Sequence, residues 1–316
     1  MIIIKSLLDE FMLKLSVDAL PGATNYDGEI FHYTSLKNIK SILQLNDDKI
    51  SLWASRYDCL NDISEGTLAK EAYREACDEL KENGQISNEM YNLFSNIPPS
   101  RNETFIVWKN GKPKPVRCEF GTYITSFSTE YDLLPMWNYY SKGNMYEGFN
   151  IGFSAKEIKE SLKSRFNDGS VSISVSPVIY ATEEQKALIK KLLMELNQKY
   201  EVGHETSVRA IISMKLTAWQ MTFKKECFAH EREVRIIVKV ADKYKDSVEV
   251  NYRNNSAYII PYIKLQIDKT AIKSTTLGPM IGNDEQRNLQ KNILHEMITS
   301  YGISAIERCS QIPVRY

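Results

Sequence analysis

Alternating and β-branched runs in this chain are separated by stretches whose apolar residues recur every three or four positions. Residues 29–33 (EIFHY) predict a strand, with Thr34 and Ser35 as capping residues for the helix LKNIKSILQL. That helix carries Leu36, Ile39, Ile42 and Leu43 at helical spacing. Residues 50–54 (ISLWA) predict a second strand, and the loop RYDCLNDISEG leads into helices over 65–95. Strands are predicted at 104–108 and 121–128, with a proline-containing loop (GKPKP) between them. A short helix over 133–140 carries Met136, Trp137 and Tyr140, and residues 148–153 and 171–180 return to strand. Helical patterns over 183–200 and 205–222 precede the segment EREVRIIV, which predicts a strand over 231–238. Further strands are expected at 247–252, 257–267 and 273–278. A last helix over 284–301 has Leu289, Ile293, Met297 and Ile298 as its stripe.

These elements describe one α+β domain over residues 1–316. Residues 1–28 are expected to form an N-terminal helix and loop, 65–100 a helical insertion and 183–222 a helical segment. Composition changes the picture little. Forty basic and forty acidic residues give no net charge, which argues against a general basic scaffold for nucleic acid and leaves a small-molecule cleft open. The five cysteines include no CxxC pair, so reduced thiols, no structural zinc site and a cytoplasmic location are expected. The N-terminal run MIIIKSLLDEFMLKL is too polar for a signal segment, and no membrane association is expected.

Candidate chemistry centres on EREVRIIV. Side chains of a strand alternate between faces, so Glu231, Glu233 and Arg235 are expected on one face and Arg232, Val234 and Ile236 on the other. Two carboxylates on a core strand need partners or a task. They form either a structural ion-pair network, with Arg235 as the natural partner, or the floor of an active site. Three weaker clusters accompany them. His32, Tyr33 and Thr34 stand at a strand-to-helix junction, which suits either a bound anion or a simple aromatic edge with a cap. Ser126 and Ser128 share a face within TSFST, and Trp137 and Tyr140 are either a stacking platform or core. No P-loop, Rossmann glycine signature, HExxH or GxSxG is present, which removes the commonest ATPase, dehydrogenase and hydrolase readings.

The ordered series FHYTSLKNIKSIL, LWAS with LNDISE, TSFST with MWNYYSKGNMYEGFNIGF, AWQ with HEREVRI, and LGPMIG resembles the bacterial domain-of-unknown-function family 2971. The resemblance runs from about residue 29 to residue 282. A more distant resemblance is to ADP-ribosyltransferases, whose signature is a first-strand histidine or arginine, a middle-strand Ser/Thr motif and a later glutamate. That resemblance implies a mixed split β-sheet core with helical insertions, and NAD as substrate. His32, Tyr33, Thr34, Ser126, Ser128, Trp137, Tyr140 and Arg235 would then contact or support the cofactor. Glu233, with Glu231 beside it, would stabilise the oxocarbenium-like transition state.

The function expected on this basis is an NAD-dependent ADP-ribosyltransferase or NAD glycohydrolase of the toxin or phage-defence kind. It would break the nicotinamide–ribose bond and pass ADP-ribose to an RNA, DNA or protein acceptor, with an antitoxin or defence-system partner implied by that class. Two rivals remain: a non-catalytic sensor or interaction module, and a metal-dependent nuclease using Asp62, Glu65, Glu231 and Glu233.

Overall fold

A computed structural model of the chain describes residues 26–43, 48–60, 67–96, 103–109, 112–118, 120–141, 148–166, 171–241, 246, 248–255, 258–279 and 283–313. The expected N-terminal helix, Asp62 and Glu65 lie outside them.

A large mixed sheet organises the molecule. Its strands are β1 (Glu29–Ser35), β2 (Lys49–Arg56), β5 (Phe120–Ser128), β6 (Gly148–Ser154), β7 (Val171–Pro177) and β8 (Glu233–Ala241). To these are added β9 (Val250–Asn255), β10 (Tyr258–Asp268), β11 (Ile272–Leu277) and β12 (Ile306–Cys309). The main path runs β12-β11-β6-β1-β5-β2-β10-β9, with β8 joining β5 to β7. Among the described residues its strand pairings are antiparallel except β11–β12.

The strand β5 divides this sheet. It pairs with β8 along its whole length, from Phe120↔Ala241 to Ser128↔Glu233. A strand has only one other edge for backbone hydrogen bonds. On that edge β2 takes Tyr123 and Ile124, and β1 takes Ser128. Thr125, Ser126 and Phe127 are left facing a gap where β1 and β2 fork apart.

Helices α1 (Leu36–Leu43), α5 (Ala155–Arg165) and α8 (Asp284–Ser300) cover one face. Ile39, Leu43, Ile158, Leu162, Leu294 and Ile298 join Ile30, Phe127, Phe153, Val234, Ile236 and Ile263 in the main core. A second core forms among α2 (Leu68–Glu82), α3 (Asn88–Ser95), α6 (Thr182–Lys199) and α7 (Glu205–Gln220). The fold is therefore α+β, with two of the expected helical segments packed against each other. The remaining helix, α4 (Leu134–Tyr140), lies beside β1 and carries Pro in its first turn, where no backbone donor is lost.

Three local expectations change. GKPKP is not a loop: β3 (Glu103–Lys109) and β4 (Lys112–Cys118) pair as a separate hairpin. Prolines are tolerated there because a two-stranded ribbon has open edges that need no donor. Residues 155–165, left unassigned between two strands, form α5, with the Ser154 hydroxyl accepting from the Glu157 backbone as N-cap. In α8 the buried positions are Leu294 and Ile298, while Leu289 and Ile293 are exposed, so the stripe is narrower than periodicity suggests. No helix among the described residues is long and apolar enough to cross a membrane.

Candidate active site

A cavity of about 470 Å³ opens at the fork. It is lined by His32, Tyr33 and Thr34 from β1, Ser126 from β5, Tyr140 from α4, and Glu231, Glu233 and Arg235 from the EREVRIIV segment. The sheet geometry explains the convergence. Phe31 pairs with Ser128, and Ser128 with Glu233, so Phe31, Ser126, Ser128, Glu233 and Arg235 share one face. His32 belongs to the opposite face, where its ring meets Phe127 edge-on at 5.6 Å. Only because β1 and β5 separate do the two faces open into one cavity.

The strand expected from residue 231 begins instead at Glu233. Residues 226–231 form a 3-10 turn (Glu226–Glu231) that ends on Arg232 in the left-handed region, φ 46° and ψ 49°. The alternation thus breaks at Arg232, and Glu231 reaches the cavity from a turn rather than from a strand face. Several bonds hold this break. The Ser128 hydroxyl donates to the Glu231 carbonyl (2.9 Å) and accepts from the Glu130 backbone (3.2 Å). The Thr129 amide donates to the Arg232 carbonyl (2.9 Å), and the exposed Arg232 side chain pairs with Glu130 at 2.7 Å. Left-handed backbone costs a non-glycine residue about 1–2 kcal/mol. Arg232→Val is therefore expected to destabilise the protein by at least about 1 kcal/mol more than Arg232→Gly, because β-branching penalises that region most. Paired urea melts of the two variants measure the difference, and equal midpoints would refute the strain.

Glu233 is buried and engaged through both carboxylate oxygens. Arg235 grips it through Nε to Oε1 (2.8 Å) and Nη2 to Oε2 (3.0 Å), and Lys224 Nζ reaches Oε2 at 3.2 Å. Three donors meet most of the roughly four lone-pair sites a carboxylate offers. Burial alone would raise this carboxyl; the Arg235 guanidinium, then Lys224 and Ser126, outweigh burial and hold it down to about 2. Arg235 itself is among the largest fully buried side chains and donates through Nη1 to the Met221 carbonyl at 2.8 Å.

Glu231 differs. Lys224 Nζ donates to its Oε2 at 2.6 Å, and among the described residues no hydrogen bond reaches Oε1. Its side chain is 18% exposed, against 6% for Glu233. Lys224 therefore bridges both carboxylates. Burial tends to lower its ammonium, but Glu233 and Glu231 outweigh that and raise it. Its position is set by an isolated bridge between Ile179 and Phe223, and by Gln185, whose amide donates to the Ile179 and Lys224 carbonyls at 2.7 and 3.0 Å.

The other expected residues divide. The His32 ring lines the cavity near the Ser126 carbonyl. Burial lowers the His32 imidazole and the Ser126 carbonyl partly offsets this. Its folded value lies below the unfolded one of about 6.5, so the unfolded chain takes up the proton first and stability falls as pH drops through that window. His32→Asn should flatten the fall in urea midpoint between pH 7.5 and pH 5; an unchanged slope would exclude His32 as its source.

Tyr33 lines the cavity but is buried, its hydroxyl donating to the Glu130 carbonyl (2.8 Å) and accepting from the Leu133 backbone (3.0 Å). Thr34 is buried on the lining. Tyr140 is nearly half exposed over the residue as a whole, and burial of its hydroxyl, then Glu233 and Glu231, push the phenol up to about 12. Ser128 and Trp137 are not on the lining. The Ser128 hydroxyl is spent on the turn described above. Trp137 is fully buried, packs edge-to-face on Tyr33 at 4.7 Å and donates to Asp132 at 2.8 Å, so it is core rather than a stacking surface.

The fork also gathers Lys224, Phe228, Trp53, Ser51, Ser55 and Arg253, which sequence reasoning missed. Lys224 stands within Lys224-Lys225-Glu226, where nothing marks one lysine as buried, and the others become neighbours only through sheet pairing. Among the described residues no group of three His, Cys, Asp or Glu side chains is placed to hold a metal ion.

Neither a curated protein nor a solved structure matches the chain. Residues 136–236, which span α4 through the start of β8 and include Lys224, Glu231, Glu233 and Arg235, match the model of a family described as "Protein of unknown function (DUF2971)", the family that the motif series resembles.

Proposed function

We propose that the fork cavity is the active site of an NAD-consuming ADP-ribosyltransferase or NAD glycohydrolase. The observation that carries this reading is the convergence of His32, Ser126 and the Glu231/Glu233 pair on one cavity at a split in the sheet. The reaction class asks for a carboxylate beside a ribose that gains positive charge as nicotinamide leaves. Glu231, with an oxygen left for a ligand, fills that role better than Glu233, whose oxygens are already engaged. Glu233, Arg235 and Lys224 then act as a fixed electrostatic frame. The acceptor would be an RNA, DNA or protein nucleophile, or water in a glycohydrolase. In a defence system, a partner protein would gate the activity.

The test is direct. Full-length protein incubated with NAD should release nicotinamide, read by chromatography. No release together with no calorimetric binding at millimolar NAD would remove the proposal. That outcome would favour a non-catalytic sensor, a reading supported by how completely Glu233 is neutralised.

A further inference from the structure

One flank of the cavity is not used by the carboxylate chemistry. Ser51, Trp53 and Ser55 alternate with buried Leu52 and Ala54 on β2, so the three share the face that lines the cavity. Ser55 pairs with Ile124 of β5, which places this strip on the same sheet face as Ser126 and Arg235. Arg253 reaches it from β9, across β10: its Nη2 donates to the Ser55 hydroxyl at 3.0 Å. Among the described residues, two polar groups on this flank are buried without a hydrogen-bond partner, Arg253 Nε and the Ser51 hydroxyl. No ion pair engages Arg253 among the described residues. A cation and a hydroxyl left in this state are costly, and a ligand that supplies acceptors removes the cost.

Between these two groups stands Trp53. Its indole stacks on Tyr262 (4.4 Å between centroids, 26° between planes) and remains 45% exposed, unusual for a tryptophan on a cavity wall. Along an extended strand the distance from Ser51 to Ser55 is roughly 13 Å. The strip therefore offers, in order, a donor, an aromatic surface and a guanidinium. That order matches a nucleotide laid along β2, with phosphate at Arg253, the base against the indole and the base edge or sugar towards Ser51. Arginine suits phosphate because its planar fork gives two parallel hydrogen bonds.

We infer that the β2–β9 flank is a nucleoside-phosphate subsite in which Arg253 carries the phosphate and Trp53 the base. It deepens the proposed function by assigning the substrate's adenylate half, and rests on reading the fork as a nucleotide cleft.

Calorimetric titration of the full-length protein with ADP, adenosine and inorganic pyrophosphate tests it. ADP should bind at least about tenfold more tightly than adenosine. Arg253→Gln should weaken ADP about tenfold or more, while Arg253→Lys, which keeps the charge but loses the fork and the Ser55 bond, should recover only part of that loss. Trp53→Ala should weaken ADP and leave pyrophosphate unchanged. Equal affinity for ADP and adenosine, no ADP binding at millimolar concentration, or wild-type ADP affinity in a folded Arg253→Gln protein would each overturn the subsite. ADP binding without nicotinamide release from NAD would leave the subsite standing and remove the glycosidic chemistry. Nicotinamide release with an unchanged KM in Arg253→Gln would do the reverse.

Discussion

Arg235→Met is expected to cost about 3–5 kcal/mol of folding stability, the usual penalty when one member of a buried ion pair is removed and the other keeps its charge. The reason lies in the arrangement around Glu233. Arg235 supplies two of its three donors and is itself fully buried, so water cannot replace the guanidinium. Lys224 remains, which places the expected loss near the lower end of the range. The pH dependence should change with it. With Arg235 present, the Glu233 carboxyl is depressed, so its contribution is complete above the unfolded carboxylate range and is lost as pH falls towards 2. Without Arg235, burial is less well opposed, the carboxyl rises, and acid unfolding should begin at higher pH. The double variant Glu233→Leu/Arg235→Met removes both charges and should be more stable than Arg235→Met alone. Urea melts at pH 7 and pH 4 measure all of this. A cost below about 1 kcal/mol for Arg235→Met, or a double variant whose loss is the sum of the two single ones, would show that the pair is not a coupled network.

What the sequence makes legible follows from what kind of interaction is involved. Strand and helix identities come from periodicity, a local property, and β1, β5, β8 and α4 lie near their expected places. The shared face of Glu233 and Arg235 is local too, because alternation within one strand needs no partner. The break at Arg232 is not. Nothing in Glu-Arg-Glu announces a left-handed residue; the Ser128 and Thr129 bonds that hold it come from a strand more than 100 residues earlier. Lys224 is illegible for the same reason, since the Ile179–Phe223 bridge and Gln185 decide that this lysine, and not Lys225, points inward. Trp137 shows the opposite failure. An aromatic near the motif reads equally as platform or core, and only its contact with Tyr33 and Asp132 decides for core. The fork is the deepest example: it exists because β1 and β2 compete for one edge of β5, and competition between strands leaves no mark on any one of them.

Under the proposed chemistry the engagement of Glu233 favours Glu231 as the carboxylate beside the ribose, and the second large prediction follows from that proposal. If the proposed chemistry holds, Glu231→Gln should lower the rate of nicotinamide release about 100- to 1,000-fold, the range seen when one group that stabilises transition-state charge is removed. Substrate affinity should change far less, because the carboxylate's advantage grows only as positive charge develops on the ribose. Stability should also hardly move. The Glu231 side chain is partly exposed, Lys224 keeps Glu233 as a partner, and the turn is fixed through the Glu231 carbonyl rather than its carboxylate. Glu233→Gln should behave differently, losing stability because Arg235 and Lys224 then share a neutral partner in a buried site. Single-turnover nicotinamide release and urea melts on both variants separate the roles. A Glu231→Gln protein that turns over at the wild-type rate while Glu233→Gln, still folded, is inactive would return the catalytic role to Glu233. In that case the Arg235 grip would have to open when substrate binds, since only then could an engaged carboxylate meet the ribose.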